Sequence, residues 1–383
     1  MLIGVIGKPS AGKSTFFAAA TMLEVEIHDR PFTTIQPNRG VGYVRVKDIG
    51  PEFGVQSQPR TGFIQGPYRF VPVELVDVAG LIPGAHMGKG LGNQFMNDLI
   101  QADVLLHIVD MSGSTDEEGN PTTDHDPEKD IQWLEKEITM WLLGIIRRNE
   151  KKIERMVRMG KSASEIAQEL LSVLGGHDWS IVEERFPDPL AWGEEFAQFL
   201  RERTKPILVV ANKMDMPGAE ENYQRLKDKY LMVPASAQAE LILKKAARAG
   251  FVEYIPGESE FRVLKPLSAS QQRALDKIEE LLQKYGGTGV QQSLENAVFD
   301  LLGYKAVFPA GSKLKDKHGR VLPDCFLMPP GSTLFDFARR IHEDLARGLL
   351  YGIDARTKKK LAKDYVLKHR DAVEIVSTMA KHG

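Results

Sequence analysis

The chain of 383 residues carries a single cysteine, Cys325. A lone thiol closes no internal disulfide and builds neither a zinc site nor an iron–sulfur site, so Cys325 reads as a buried structural thiol. Neither sign of charge dominates. The 50 Lys and Arg stand against 52 Asp and Glu, a net charge of −2, so no global field draws the molecule to nucleic acid or anionic lipid. No uninterrupted apolar run reaches the ~18 residues that a membrane-spanning helix needs. The strand-like run Leu2–Ile6 has no basic segment before it, so no signal peptide and a cytoplasmic location are expected. What is present is ordinary globular material, 42% hydrophobic and 27% charged. At roughly 100–200 residues per domain, the length argues for two or three domains.

Charge is distributed unevenly along the chain. From Gly303 onward 16 basic residues face 9 acidic ones, whereas the rest of the chain has 34 against 43. Such asymmetry suggests separate domains with separate partners. Short apolar runs recur at Leu2–Ile6, Val73 to Val76, Val104 to Val109 and Pro206 to Val210, each ending in a polar or glycine-rich segment. Runs of this kind fit strands buried on both faces, and the helical stretches between them point to a doubly wound, mostly parallel α/β domain. Ligands of such sheets sit at the carboxyl ends of the strands. The rhythm breaks between Asp110 and Lys205. Residues 112–127 read as an exposed polar loop. Ile131, Leu134, Ile138, Trp141, Leu142 and Ile145 then recur at helical spacing, and a second helical pattern runs through Ile166, Leu170, Leu171 and Leu174. The expectation is a helical hairpin inserted into the α/β domain. The last segment reads as strand (Tyr304 to Phe308), turn, strand, a helix from Ser332 to about Arg347, and a late strand at Val373 to Val376. That is a small α+β grasp. The expected division is 1–110 with 203–300, an insertion over 111–202, and a grasp domain over 301–383.

The strongest local signal is Gly7-Lys8-Pro9-Ser10-Ala11-Gly12-Lys13-Ser14, which matches GxxxxGK[ST] between the run Leu2–Ile6 and a helical stretch starting at Lys13. Strand, loop and helix in that order are the context a phosphate loop requires. Its glycines let the backbone approach phosphate, and the loop amides and helix N-terminus present donors to the anion. The candidate phosphate-binding residues are Gly7, Lys8, Pro9, Ser10, Ala11, Gly12, Lys13, Ser14 and Thr15. Lys13 would neutralise β/γ oxygens and Ser14 would ligate Mg²⁺.

The run Pro206 to Val210 ends in Asn212-Lys213-Met214-Asp215, an NKxD. A carboxylate at Asp215 can accept from guanine N1–H and N2–H₂ together. Adenine lacks that donor pair and would leave the carboxylate unpaired, so guanine should win. Asn212 would brace the loop, and the Lys213 stem would lie over the base. Farther on, Pro234-Ala235-Ser236-Ala237 can offer a backbone N–H to guanine O6, which adds Ser236 and Ala237 to the guanine-binding set. Between these motifs, Val73 to Val76 leads into Asp77-Val78-Ala79-Gly80, a DxxG. Asp77 would hold Mg²⁺ through water and the Gly80 amide would meet the γ-phosphate. A threonine in the loop Pro31 to Asn38 could complete the metal shell while γ-phosphate is present.

These ordered motifs, with the stretches PFTTIQPNRGVG (31–42), DVAGLIPGA (77–85) and GKGLGNQF (88–95), resemble the Obg superfamily of translation-factor-class GTPases. The helical insertion between DxxG and NKxD resembles the YchF-like branch, and the tail resembles a TGS domain, a ubiquitin-like β-grasp. The resemblance implies a P-loop G domain and GTP hydrolysis with Mg²⁺. It assigns the switch role to Thr34, giving Ser14, Thr34 and Asp77 as metal residues and Lys13, Thr34 and Gly80 as the catalytic set. YchF itself replaces the base-reading aspartate with glutamate and favours ATP; Asp215 here predicts GTP. Many GTPases place glutamine after DxxG to orient water, whereas this chain has Leu81. Some relatives bind K⁺ through a phosphate-loop asparagine, and the matching residue is Ser10, a poorer ligand, so a K⁺ site is the weaker cofactor expectation beside Mg²⁺. Arg30 and Arg39 flank the threonine loop and read as solvated rather than as arginine fingers. His86 and His107 are set aside as structural.

TGS resemblance together with the basic residues Lys313, Lys315, Lys317, Arg356, Lys358, Lys359 and Lys360 implies a ribosome or RNA partner, bound by shape and backbone charge. No membrane partner and no reading of DNA sequence are expected, and the chain is expected to be a monomer. The reading is a slow, partner-stimulated GTPase switch. Two alternatives stand beside it: a non-hydrolysing GTP/GDP sensor and scaffold, and a YchF-like ATPase.

Overall fold

Strand β1 (Leu2–Ile6) is apolar and buried at every position, and β5 (Val104–Asp110) is buried throughout and apolar but for His107 and its terminal carboxylate. Strands without a polar face must be covered on both sides, which places them at the centre of a parallel sheet. The structure, a computed structural model, describes residues 1–22, 38–78, 99–174, 178–311, 314–316 and 318–379. Among these, β2 (Arg39–Lys47), β3 (Phe63–Gln65), β4 (Tyr68–Asp77), β6 (Ile207–Asn212) and β7 (Met232–Pro234) complete a seven-stranded sheet of order β2-β4-β1-β5-β6-β7. β3 pairs with β4 beside Phe70. The β1, β4, β5, β6 and β7 ladders are parallel; only β2 and β3 run antiparallel to β4. The carboxyl ends of β1, β4, β5, β6 and β7 therefore meet along one edge, at Ile6, Asp77, Asp110, Asn212 and Pro234. The helix α1 (Lys13–Thr21) follows β1 and packs on the helix Ala237–Arg248. Lys244 from that helix donates to Ala19 O at 2.9 Å and Met22 O at 3.3 Å, placing a cation at the carboxyl end of α1.

The inserted region is more than a hairpin. Among the described residues five helices lie between β5 and β6: Pro127–Arg148, Glu150–Arg158, Ala163–Leu171, Ser180–Arg185 and Glu194–Thr204. The first is well specified locally. Asp126 accepts from Glu128 N at 3.0 Å, Pro127 sits at the first helical position, and Arg147 and Arg148 complement the last turn. Leu134, Ile138, Trp141, Ile153, Ile166, Val182, Phe196 and Leu200 form one buried cluster that continues into Leu2, Ile6 and Leu105 of the sheet. Ser180–Arg185 is too short for a clear period and Glu150–Arg158 lies in a mixed-charge stretch, so the sequence shows a pair where the structure has five. Nor is 112–127 simply an exposed loop, because Gly113 and Thr115 are buried.

After a two-stranded ribbon of β8 (Val252–Tyr254) and β9 (Phe261–Val263), a separate sheet forms. It contains β10 (Lys305–Pro309), β11 (Phe326–Met328), β12 (Leu349–Asp354), β13 (Lys360–Leu361) and β14 (Asp371–Ser377), in the order β11-β10-β14-β12-β13. The helix Leu334–Ile341, capped by the reciprocal Thr333–Asp336 pair, packs Leu334 and Phe337 against Val307, Leu349 and Val373. The expected single helix to Arg347 is broken at His342, whose backbone is extended, and resumes over Glu343–Arg347. β12 is absent from the sequence reading because Gly352 interrupts its apolar run. A Cβ at Gly352 would lie 2.8 Å from Leu334 Cδ2, so the glycine is what lets the helix approach.

The small sheet docks on β2 and β4. Ala306, Phe308, Ala310, Leu322 and Ala372 share one buried cluster with Val44, Val46 and Val71. Arg69 of β4, 1% exposed, donates to Leu322 O at 2.6 Å and also to Pro323 O. Burial pushes the neighbouring Cys325 thiol up to about 12, so it is an inert packing group. Arg356, read from sequence as part of a basic surface, is exposed but paired. It binds Glu52 at 2.7 Å and Arg370 O at 2.9 Å, so part of its charge is already answered within the protein. Lys360 lies 4.5 Å from the Tyr351 ring centroid. Lys313 and Lys317 lie outside the described residues.

Candidate nucleotide site

The phosphate loop turns between β1 and α1 with Ser10 at φ 62° and Gly12 at φ 92°. Two glycines are fixed by close approach. A Cβ at Gly7 would lie 2.5 Å from Ile108 O, and one at Gly12 would lie 2.3 Å from Asn212 Nδ2. The α1 N-terminus has Gly12 as its cap residue and no side-chain cap, so its first amides remain open to an anion. Ser14 is exposed and Thr15 half-buried in the first turn. Lys13 points along the loop and forms an ion pair with Asp77 Oδ1 at the end of β4. Ser14 and Asp77 offer a hydroxyl and a carboxylate, the hard oxygen donors that suit Mg²⁺. Thr34, Gly80, Arg30, Leu81 and His86 lie outside the described residues.

The other end of the site is built from β6 and the loop after β7. Asn212, 2% exposed, donates from Nδ2 to Ala11 O at 2.9 Å and accepts from Ala237 N at 3.0 Å. Both bonds stay within the protein. Asn212 therefore staples the phosphate loop to the loop after β7, and the Ala237 amide, expected from sequence to face guanine O6, is already engaged. Ser236 Oγ donates to Asp215 Oδ1 at 2.6 Å and accepts from Ala239 N at 3.2 Å. Asp215 is exposed, held from one side and open on the other. Lys213 adopts φ 65°, and its ammonium binds Asp110 at 2.8 Å. Non-glycine residues with positive φ, such as Ser10 and Lys213, persist only where surrounding contacts hold them, and both sit in the two ligand loops.

Three contributors escaped sequence reading. Asp110 is fully buried and accepts from Ser112 Oγ at 2.5 Å, Ser114 Oγ at 3.0 Å and Thr115 Oγ1 at 2.8 Å. Burial opposes its charge, but the bonds from Lys213, Ser112 and Thr115 outweigh that and hold its pKa below the ordinary value. Its place at the end of an apolar strand, like that of Asp77, was the signal available. The second and third, Thr115 and Asp130, concern Lys8. The side chain of Lys8 faces away from the phosphate pocket, 2% exposed, with Nζ 2.7 Å from Thr115 O and 2.8 Å from Asp130 Oδ2. Only its backbone remains to serve a phosphate. Arg39 is paired rather than solvated, with Glu74 and Gln101 each at 2.5 Å.

His107, in the middle of β5, is 1% exposed, and its Nδ1 has no hydrogen-bond partner. Burial, reinforced by the Lys8 charge, pushes its pKa down to about 3 from 6.5. It is neutral in the fold and is no general base. Between those two values the unfolded chain holds a proton that the folded chain does not. His107 should therefore cost stability progressively as pH falls from about 6.5 toward 3, by up to a few kcal/mol. Urea midpoints measured against pH should show this slope in the parent and a shallower one in His107→Leu.

Comparison with known proteins places these features in context. The family model described as "Obg-like GTPase YGR210-like, G4 motif-containing domain" matches residues 210–311. "50S ribosome-binding GTPase" matches 2–143 and "TGS domain" matches 305–377. An uncharacterized GTP-binding protein of Methanocaldococcus jannaschii is 42% identical over 98% of this chain and 99% of its own. The ribosome-binding ATPase YchF of Bacillus subtilis is 28% identical over 97% of each chain. The crystal structure of a GTP-binding protein from Pyrococcus horikoshii superimposes with a TM-score of 0.79 at 35% identity, covering 99% of this chain and 100% of that one.

Proposed function

Because the chain belongs to the YchF-like branch of the Obg-type GTP-binding proteins, with a P-loop G domain and a C-terminal TGS domain, we propose that it hydrolyses GTP to GDP and phosphate with Mg²⁺ and acts as a nucleotide-controlled switch on the ribosome or RNA. The observation that carries the guanine reading is Asp215. Its carboxylate is oriented by Ser236 at 2.6 Å, open on the other side, and joined through Asn212 to the loop that would hold the phosphates. In this reading the G domain is 1–110 with 203–300, the insertion is 111–202, the TGS-like domain is 301–383, and the protein acts as a monomer.

Lys13 and the open amides of α1 would bind the β- and γ-phosphates and offset the charge that gathers on them in the transition state. Ser14, Asp77 and Thr34 would hold Mg²⁺, which supplies further charge neutralisation there. A K⁺ requirement is the weaker cofactor proposal, since Ser10 has only a hydroxyl to offer. Arg39 is committed to Glu74, and the leucine that follows DxxG in the sequence, Leu81, has no group to polarise water, so an unassisted chain lacks a strong means of activating the attacking water. Intrinsic turnover should be slow, on the order of 10⁻³–10⁻² s⁻¹, and rise when a partner completes the site. Among the described members of the basic set, Lys315, Lys358 and Lys359 are exposed and available to such a partner, while Arg356 is paired with Glu52 and Lys360 lies over Tyr351.

Single-turnover hydrolysis of GTP and of ATP, with Mg²⁺ or EDTA and with or without ribosomes, tests the whole reading. Slow GTP hydrolysis, lost in EDTA and accelerated by ribosomes, is the expected result. Equal hydrolysis of ATP would favour the ATPase reading, and no hydrolysis under any condition would favour a sensor.

A further inference from the structure

The second residue of the phosphate loop is basic, yet its charge is withheld from the nucleotide. The Lys8 ammonium lies beneath the loop, between Thr115 O at 2.7 Å and Asp130 Oδ2 at 2.8 Å. Asp130 is itself 2% exposed and meets His125 Nε2 at 2.8 Å through its other oxygen. Burial raises the Asp130 pKa despite these two partners. A buried ion pair is weak support for stability, because desolvation takes back most of the Coulomb gain. Its effect is instead to fix one element against another.

The elements joined here are informative. Asp130 lies in the first turn of the helix Pro127–Arg148, whose Leu134, Ile138 and Trp141 enter the core of the insertion. The loop 112–127 that leads into this helix touches the phosphate loop again at Gly119, where a Cβ would lie 2.7 Å from Pro9 Cβ and 2.9 Å from Pro9 O. Thr115, whose carbonyl receives Lys8, bonds Asp110 at 2.8 Å, and Asp110 holds Lys213 of the base loop. The insertion is thus bonded directly to the phosphate loop and, through Asp110, to the base loop. The phosphate loop needs such support, because its amides must converge on an anion through the positive φ values of Ser10 and Gly12.

We propose that Lys8 is a positioning residue that tethers the phosphate loop to the helical insertion, so that the insertion sets how long a guanine nucleotide stays bound. The proposal rests on the nucleotide-binding reading above. Displacing the helix Pro127–Arg148 would draw Asp130 from Lys8 and slacken the phosphate loop, which makes the insertion the natural place for a factor that promotes exchange.

The test measures dissociation of a fluorescent GDP and thermal melting in the full chain, for Lys8→Met, Lys8→Arg, and the double variant Lys8→Met with Asp130→Asn. The double variant removes both buried charges together and should fold. It should release GDP about tenfold faster than the parent, a typical coupling between linked sites, with association and melting close to the parent's. Lys8→Met should release GDP as fast but melt lower, because it strands the buried Asp130 carboxylate, and Lys8→Arg, which keeps the charge, should restore slow release. Lys152→Met removes an exposed ion pair of the insertion with Glu169 and should change nothing. A parent-like release rate in folded Lys8→Met or in the double variant overturns the tether while leaving nucleotide binding intact. Equal acceleration by Lys152→Met overturns it too, by showing unspecific loosening. A parent that binds no guanine nucleotide removes the site reading and the tether together.

Discussion

Asp215→Ala should weaken GDP binding by about 10²–10⁴-fold, the loss of two charge-assisted hydrogen bonds at roughly 1.5–3 kcal/mol each, and should leave any binding of ATP almost untouched. The asymmetry follows from the geometry. Asp215 is exposed, so the carboxylate bears no burial cost until a base covers it. Guanine covers it and supplies two donors. Adenine covers it and supplies none, so discrimination arises on binding and falls on the wrong base. Ser236 fixes the rotamer through its 2.6 Å bond to Oδ1. Ser236→Ala should therefore cost less, about tenfold, because the carboxylate survives but is no longer aimed. Competition titrations with GDP, GTP and ATP on the parent and both variants check the ordering. Loss of GDP and ATP binding by the same factor in Asp215→Ala would mean that the residue does not read the base.

How much of this was legible beforehand depends on whether a feature is local. The strands β1 and β5 are continuous apolar runs, the phosphate loop is eight consecutive residues, and the motif ends Asp77 and Asn212 are marked by the strands before them. All of these land on one sheet edge, as strand order in a parallel sheet requires. The features that escaped are pairings across long sequence separations. Nothing near Lys8 announces Asp130, and nothing near Arg69 announces the carbonyls of Leu322 and Pro323, yet those contacts place the insertion and the TGS domain. The polar composition of 112–127 is equally compatible with solvent and with a buried carboxylate needing hydroxyl donors. Asp110 decides between them, because Ser112, Ser114 and Thr115 all turn toward it.

Lys13→Ala should reduce GTP affinity by about 10²–10³-fold and abolish hydrolysis, since it removes the ammonium that meets the phosphate charge. The state of Lys13 in the structure adds a less obvious expectation for its partner. Lys13 is ion-paired with Asp77, so the cation that phosphate would claim and the carboxylate that Mg²⁺ would claim hold each other. A nucleotide must separate them, taking Lys13 for phosphate, while Mg²⁺ takes the freed carboxylate. Asp77→Asn removes the competitor and the metal-binding charge in one step, and the two consequences have opposite signs. In EDTA, where only the competition counts, the variant should bind GDP severalfold more tightly than the parent. With Mg²⁺ present, where the carboxylate is needed, it should bind GTP more weakly and hydrolyse it more slowly. Titration of both nucleotides in both media separates the terms. A change of the same sign in EDTA and in Mg²⁺ would show that Asp77 competes for Lys13 or serves the metal, but not both.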